Sequence, residues 1–351
     1  MASNEALRAG RLQVDPDGTV HVPAFQLPLS AALSDQARQS LAMALSHTPQ
    51  VTIVRAREFT SVADFQAAVD AFRNGVDLAF ARPGADRLLE AFPVNVAPGR
   101  IGGVPVEEFT PLEGLDGERV LINLHGGAFY SGATYVARME SIPIAHLGKF
   151  RVVSVDYRQG YEHKFPAASE DVAAVYAELL KTYPANRIGI YGGSAGGALT
   201  AQATAWILQH GLPAPGAIGV LGSGTGGCGD SDYFGAIGTA WLPPAMELGR
   251  LADAAVGYFS DASDDDPLVN PIIAPESFRA RFPPTLLITG TRAFDMSPAI
   301  ATHRALVQAG VDAQLHVFDG QGHCFYYAAS TPEGADANQT IIRFFRKHLA
   351  G

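Results

Sequence analysis

The hydrophobic pattern of the chain changes character near residue 104. Before that point, apolar residues recur at helical spacing in residues 30–45 and again in 61–73, so both stretches are predicted to be helices. Ser61 followed by Asp64 fits an N-terminal capping pattern for the second helix, and Gly75 is placed to end it. Prolines and a glycine in residues 1–29 predict an extended lead-in, and residues 83–98 are rich in turn formers.

From residue 104 onward, short apolar runs alternate with amphipathic segments. Such alternation predicts a mostly parallel central sheet with helices on both faces. The predicted strands cover residues 104–109, 120–124, 152–155, 187–191, 217–221, 285–289 and 314–318, and the predicted helices cover 166–180, 198–209, 297–308 and 338–349. Residues 223–284 are too long for a plain connection and predict a cap insertion. The expected organisation is an N-terminal segment, 1–99, that contributes cap helices, and a catalytic domain, 100–351.

Composition narrows the class of protein. The 351 residues are 47% hydrophobic and 17% charged, which is typical of a globular enzyme with a large core. The formal net charge of −10 argues against nucleic acid or an anionic membrane as the main partner. Two cysteines cannot form a disulfide framework, although a single Cys228–Cys324 bridge stays open. Neither a signal peptide nor a membrane span is evident, so a cytoplasmic location is expected.

The segment that organises the chain is Gly192-Gly193-Ser194-Ala195-Gly196, which lies between a predicted strand and a predicted helix. It has the G-x-S-x-G pattern of a nucleophile elbow, in which a serine sits on a strained turn and its hydroxyl is exposed. Glycines at both ends let the strand and the helix approach each other closely. Ser194 is therefore the candidate nucleophile.

Three further loops carry candidate chemistry. His125-Gly126-Gly127-Ala128 follows a predicted strand, where glycines let backbone N–H groups point into an oxyanion hole. His323 follows the last predicted strand, in the position of a catalytic base, and Asp295 is the acid in the loop after residues 285–289. An N-cap role for Asp295 in the following helix is the alternative. We expect the oxyanion donors to be Gly126, Gly127 and Ala195.

These motifs together resemble the hormone-sensitive lipase family of α/β-hydrolase esterases. The resemblance rests on His125-Gly126-Gly127-Ala128-Phe129, Gly192 to Gly197 and Gly320-Gln321-Gly322-His323, and it covers roughly residues 120–350. It implies an α/β-hydrolase fold with a helical cap. It also implies hydrolysis of small carboxylic esters with short to medium acyl chains, without a metal or an organic cofactor.

The chain departs from that family's pattern at three places. Gly193 stands before the serine, where many members carry an acid. Gly160-Tyr161-Glu162-His163 replaces a common Ala-Pro-Glu-His arm. Counted from Gly290, the usual position of the catalytic acid holds Ala293, so Asp295 must reach the histidine from a shifted loop.

Other properties stay open at this stage. Phe129, Tyr130 and Trp241 are candidates for lining the substrate pocket. The same triad would serve a lactone, carbamate or amide hydrolase, and a non-catalytic small-molecule receptor can share the fold. The sequence does not decide whether the protein forms a homodimer. Because the base must be neutral, activity is expected to fall below roughly pH 6.5 unless the site shifts the histidine pKa.

Overall fold

The computed structural model describes residues 13–18, 20–21, 26–47, 59–225 and 256–349. The chain divides into two units, Met1–Ala31 and Ala32–Gly351. In the first unit, strands β1 (Gln13–Val14) and β2 (Val20–His21) form a small antiparallel hairpin. The side chain of His21 contacts Asp15 across it, with 2.7 Å between Nε2 and Oδ2.

The second unit begins with helices. Helix α1 spans Asp35–His47 and α2 spans Val62–Phe72. As predicted, Ser61 caps α2, and its hydroxyl accepts the N–H of Asp64 at 3.5 Å. The chain does not end this helical stretch at Gly75, because a π-helical segment at Arg73–Ala81 leads directly into α3, Arg82–Ala91.

Helix α3 corrects the prediction that residues 83–98 are mainly turns. Pro83 lies in the first turn of α3, a position at which helices tolerate proline. Gly84 lies close to Met139, since a Cβ there would lie 3.1 Å from the Met139 side chain. Pro98 falls in an edge strand, where a missing N–H is tolerated.

An eight-stranded sheet forms the centre of the second unit. In spatial order its strands are β10, β9, β8, β7, β5, β6, β4 and β3. Neighbouring pairs are parallel except β3 with β4 and β4 with β6, which confirms the mostly parallel sheet. The strands are β3 (Val94–Ile101), β4 (Val104–Pro111), β5 (Asp116–Leu124), β6 (Phe150–Val155), β7 (Ile188–Gly193), β8 (Ala217–Leu221), β9 (Thr285–Gly290) and β10 (Ala313–Phe318).

Helices connect these strands and cover both faces of the sheet. They are α4 (Tyr135–Gly148), α5 (Ala167–Leu179), α6 (Ala195–Gln209), the short α7 (Glu276–Arg279), α8 (Met296–Gln308) and α9 (Pro332–His348). Along β5, Val120, Ile122 and Leu124 pack into one buried cluster while Leu121 packs into the other. This alternation places a core on each face of the sheet.

Two elements of the sheet region were absent from the sequence prediction. Helix α4 contains Pro143, and proline is atypical of a helix interior. Edge strand β3 begins at Val94, and the predicted boundary between residues 99 and 100 therefore falls inside a strand. In the parts of the chain that the structure describes, no helix has the length and apolar character needed to cross a bilayer.

Candidate functional site

Ser194 occupies the sharp turn between β7 and α6. Its backbone has φ 55° and ψ −121°, a conformation that is strained for a residue with a side chain. Its N–H donates to the carbonyl of Leu221 on β8 at 2.9 Å, which holds the turn against the sheet. The turn places Ser194 immediately before the N-terminus of α6, as the elbow pattern predicts.

The glycines of the elbow are required by close backbone contacts. A Cβ on Gly192 would lie 2.2 Å from the carbonyl oxygen of Leu124, and a Cβ on Gly196 would lie 1.7 Å from the same atom. Both distances are far below van der Waals contact. The strand-to-helix turn can therefore pack against the end of β5 only when these positions lack side chains.

The structure brings Ser194, His323 and Asp295 into one chain of hydrogen bonds. His323 Nε2 lies 2.9 Å from Ser194 Oγ, and His323 Nδ1 lies 2.6 Å from Asp295 Oδ1. The second carboxylate oxygen of Asp295 accepts the hydroxyl of Thr289 at 2.6 Å. Asp295 is buried, so its charge acts on the imidazole with little screening by solvent.

The side chain of Asp295 faces away from the helix that follows it. Asp295 occupies the N-cap position of α8, but its side chain makes no capping hydrogen bond. Its oxygens face His323 and Thr289 instead. Ala293, at the position of the family's usual acid, is fully buried and offers no polar group. The ring of Phe294 stacks on the imidazole of His323, with 4.2 Å between centroids.

The environment of His323 raises its pKa above the ordinary value of 6.5. Burial works in the opposite direction, because it penalises the charged imidazolium. Interactions with Cys324 and Asp295 outweigh that effect. The sulfur of Cys324 lies 3.5 Å from Nε2, and Oδ1 of Asp295 lies 2.6 Å from Nδ1, so both groups contact the imidazole directly.

The predicted oxyanion loop lies directly against the elbow. A Cβ on Gly126 would lie 3.3 Å from Cβ of Ser194, so the two segments touch. Gly127 adopts a φ of 127°, which favours glycine, and Ala195 is the first residue of α6, so its N–H has no partner within the helix. Both N–H groups remain candidates for binding an oxyanion.

The N–H of Gly126, one of the three predicted oxyanion donors, has a hydrogen-bond partner within the protein. This N–H donates to Oε1 of the buried Glu140 at 3.0 Å. That hydrogen bond engages the group that was expected to face the substrate. The sequence could not reveal it, because Glu140 comes from α4, whose contacts with this loop appear only in three dimensions.

His125 anchors the start of the same loop. Its ring is buried and stacks on Tyr157, with centroids 4.3 Å apart. The hydroxyl of Tyr157 donates to the carbonyl of His125 at 2.7 Å. Burial lowers the pKa of His125 to about 4, so the ring stays neutral at physiological pH. His125 therefore serves as an uncharged support for the loop.

Two of the three predicted pocket residues, Phe129 and Tyr130, lie in the described part of the structure. Phe129 is buried and stacks on Tyr258, with 5.3 Å between ring centroids. Tyr130 is buried and meets Phe72 edge to face at 5.3 Å. Both rings thus pack against aromatic neighbours beside the oxyanion loop. Trp241 and Cys228 lie outside the described residues, and Cys324 is a buried free thiol.

The unusual arm at residues 160–163 is tied to the N-terminal helices. Arg73 forms an ion pair with Glu162 at 2.7 Å, and its guanidinium also donates to the backbone carbonyl of Tyr130. The hydroxyl of Tyr161 donates to Asp70 on α2 at 3.1 Å. These contacts connect the helical segment before the sheet with the arm and the oxyanion loop.

Sequence reasoning missed three residues that contact the predicted site: Thr289, Glu140 and Tyr327. Thr289 is the residue before the last of strand β9, and its role appears only through its contact with Asp295. Tyr327 lies four residues after His323 and donates to Glu140 at 2.5 Å. A lone acid within the apolar run 139–145 is the only signal that the sequence gives for Glu140.

Comparisons with known proteins show which family the chain resembles. A sequence model of the alpha/beta hydrolase fold matches residues 121–327. An acetyl-hydrolase of Streptomyces hygroscopicus is 28% identical over 268 residues, which are 74% of this chain and 87% of that protein. A Carboxylesterase/phospholipase LipF of Mycobacterium tuberculosis is 30% identical over 66% of this chain and 63% of its own length.

Solved structures show the same similarity over nearly the whole chain. A crystallised esterase with 29% identity superposes with a TM-score of 0.77 and covers 94% of this chain and 99% of its own. An esterase from the bacterial hormone-sensitive lipase family, at 27% identity, gives a TM-score of 0.73 and covers 91% of this chain and 100% of its own.

Proposed function

This chain belongs to the alpha/beta hydrolase family, as an esterase of the hormone-sensitive lipase type, and from that premise we propose that Ser194, His323 and Asp295 form its catalytic triad. The proposed reaction is hydrolysis of carboxylic esters with short to medium acyl chains through a covalent acyl-enzyme. The observation that carries the proposal is the continuous relay from Ser194 through His323 to Asp295, with contacts of 2.9 and 2.6 Å.

In the first step, Nε2 of His323 removes the hydroxyl proton of Ser194 as Oγ attacks the ester carbonyl. Asp295 accepts a hydrogen bond from Nδ1–H and so fixes the tautomer that leaves Nε2 able to accept the proton. The imidazolium that forms is stabilised by the buried carboxylate. Its proton then passes to the departing alcohol as the C–O bond breaks, which leaves the acyl group on Oγ.

The carbonyl oxygen becomes negative during this attack and needs hydrogen-bond donors. We assign this role to the N–H groups of Gly127 and Ala195, because Gly126 donates to Glu140. Ala195 adds the favourable field of the N-terminus of α6. Loss of one oxyanion donor typically raises the barrier by about 3 kcal/mol.

The second step repeats the chemistry with water. His323 removes a proton from a water molecule, whose oxygen attacks the acyl carbonyl and forms a second oxyanion at the same donors. Collapse of that intermediate breaks the bond to Oγ, releases the carboxylic acid and returns the proton from His323 to Ser194. The enzyme is regenerated without a redox step.

The name of the Streptomyces relative, acetyl-hydrolase, supports a short acyl group for this chain. We also propose that the helices before the sheet form part of a cap over the site. The contacts of Arg73 with Glu162 and with the carbonyl of Tyr130 support this arrangement, because they link the helical segment to the oxyanion loop. A cap of this kind would limit substrate size and exclude water.

Turnover of p-nitrophenyl acetate and butyrate by the wild type and by Ser194→Ala tests the mechanism. We expect the variant to lose nearly all activity and to resist labelling by a fluorophosphonate that reacts with activated serines. Ser263→Ala, in an exposed turn, is the matched control and should keep full activity. Equal rates for wild type and Ser194→Ala would refute the mechanism.

A second experiment identifies the type of bond that the enzyme cleaves. It uses a panel of esters in which the acyl and alcohol parts vary separately, together with lactones, carbamates and amides.

A further inference from the structure

Glu140 is a buried acid in a helix whose neighbouring side chains are mostly apolar. It lies in α4 with only 4% of its surface exposed, between Met139 and Ile142, which are also buried. Burying a carboxylate costs several kcal/mol unless hydrogen bonds or an opposite charge satisfy it. Its place in the fold therefore needs a specific explanation.

Four donors surround the carboxylate of Glu140. Oε1 accepts the N–H of Gly126 at 3.0 Å and the hydroxyl of Tyr327 at 2.5 Å. Oε2 accepts the side-chain amide of Asn123 at 2.8 Å and the N–H of Gly193 at 3.3 Å. These donors come from the end of β5, the oxyanion loop, the nucleophile elbow and the turn after His323.

The nature of these donors requires an acceptor at the centre. The N–H groups of Gly126 and Gly193 can only donate, and the Asn123 amide is oriented as a donor because its oxygen accepts the hydroxyl of Ser154 at 2.7 Å. Burial raises the pKa of Glu140, while these hydrogen bonds and that of Tyr327 act against the rise. No partner among the four is a cation, so neutral dipoles hold the carboxylate.

The position of this carboxylate corresponds to the side chain that the elbow lacks. A Cβ on Gly193 would lie 2.7 Å from Oε1 of Glu140 and 2.5 Å from the hydroxyl of Tyr326. The space beside the nucleophile, where related esterases often carry an acid in the elbow itself, is thus already filled from α4. Gly193 and Glu140 fit each other sterically, because a side chain at 193 would crowd both the carboxylate and the hydroxyl of Tyr326.

We propose that Glu140 is a positioning residue for ester hydrolysis, which joins the oxyanion loop, the elbow and the turn after His323 through one acceptor group. Through its bond to Gly126, it fixes the loop that carries the Gly127 donor. Through its bond to Gly193, it fixes the residue before Ser194. This inference rests on the proposed triad and oxyanion hole. Pre-organised donors of this kind act mainly on the transition state, so the effect should fall on kcat.

Glu140→Gln tests the proposal with almost no change in volume. The new NH₂ group must face either the Gly126 N–H or the Gly193 N–H, so at least one backbone donor meets another donor. We expect kcat for p-nitrophenyl acetate to fall by about 10- to 100-fold, with KM changed by less than about threefold. Labelling of Ser194 by the fluorophosphonate should slow in parallel.

Glu107→Gln is the matched control. This glutamate is half-buried and pairs with Arg138, which belongs to the same helix as Glu140, at 2.7 Å. The substitution makes the same chemical change without touching the loops of the site, and kcat should stay within about twofold of the wild type. Thermal unfolding of both variants separates a loss of stability from a loss of positioning.

Tyr327→Phe keeps the experiment decisive if Glu140→Gln does not fold. It removes one donor to the carboxylate and leaves the acid in place, and we expect kcat to fall by about three- to tenfold with KM unchanged. A folded Glu140→Gln with wild-type kcat would overturn the proposal. If Glu140→Gln is unfolded, a folded Tyr327→Phe with wild-type kcat would overturn it instead.

Ser194→Ala in the same assay separates the triad hypothesis from the positioning hypothesis. Retained activity of Ser194→Ala would refute the triad. An inactive Ser194→Ala beside a Glu140→Gln with wild-type kcat would refute only the positioning role.

Discussion

Thr289 donates its hydroxyl hydrogen to Oδ2 of Asp295 across 2.6 Å, while Oδ1 of the same carboxylate faces the imidazole of His323. The end of strand β9 thus holds the carboxylate oxygen of Asp295 that does not face the histidine. This contact explains how an acid displaced by two residues along its loop still reaches the histidine. The strand that precedes Asp295 orients its carboxylate. The carboxylate makes no capping hydrogen bond at the N-terminus of α8.

Thr289→Val should lower kcat by about tenfold, because the carboxylate loses the hydrogen bond that orients it toward the imidazole. KM should change little, since the substitution leaves the substrate site intact. Steady-state kinetics with p-nitrophenyl acetate measures both. Thr285→Val is the control: it lies at the other end of β9 and loses one buried hydrogen bond, to the carbonyl of Pro283. Equal kcat values for the two variants would contradict an orienting role.

Asp295→Asn should reduce kcat by roughly 10³- to 10⁴-fold, because an amide favours the wrong imidazole tautomer and cannot stabilise the imidazolium. Rates at saturating substrate, with Tm measured on the same samples, separate catalysis from folding. Asp319→Asn changes the other acid next to the histidine loop, which is exposed and faces Thr291. If Asp319→Asn were inactive and Asp295→Asn active, the assignment of the acid would be wrong.

The pH dependence should follow the raised pKa of His323. Ester hydrolysis needs the neutral imidazole, so kcat/KM should rise with pH as His323 loses its proton. Because the pKa lies above 6.5, the midpoint of that rise should lie above pH 6.5, higher than the sequence alone predicts. Initial rates from pH 5 to pH 10 define the curve. A midpoint at or below pH 6.5 would contradict the prediction.

Cys324→Ala tests the cause of that shift. It removes the sulfur 3.5 Å from Nε2 and leaves Asp295 in place. Because the Cys324 side chain contributes to the raised pKa of His323, the midpoint of kcat/KM should move to lower pH in the variant. Cys324→Ser retains a polar atom of similar size that stays neutral, and it should move in the same direction. An unchanged profile would assign the whole shift to Asp295.

The parts of the site that the sequence predicted are those encoded within a few residues. The sharp turn at Ser194 follows from glycines on either side of it, and the base at His323 follows from its place after the last strand. Both features can be recognised from a single sequence because each depends on local backbone geometry. The fold class follows for the same reason, since the alternation of strand and helix patterns is also local.

The parts that the sequence could not predict depend on contacts between distant segments. Gly126 and Glu140 are 14 residues apart, and Gly193 and Glu140 are 53 apart, so no local pattern links them. Helix α4 itself was missed, because a proline such as Pro143 is atypical of a helix interior. An N–H that points toward a substrate cannot be distinguished by sequence from one that points toward a buried acid. The partner of the Gly126 N–H was therefore not predictable from the sequence.

Gly196→Ala should abolish folding or lower the free energy of unfolding by at least about 3 kcal/mol, because its Cβ would lie 1.7 Å from the carbonyl oxygen of Leu124. That oxygen is backbone at the end of β5 and cannot move without breaking the sheet beside the elbow. Gly75→Ala is the matched control, since a Cβ there meets no atom within 4 Å. Lying in a helical segment, it should raise stability by about 0.5–1 kcal/mol. Urea denaturation measures both changes. A folded Gly196→Ala with wild-type stability would show that the elbow and β5 do not pack as closely as the structure places them.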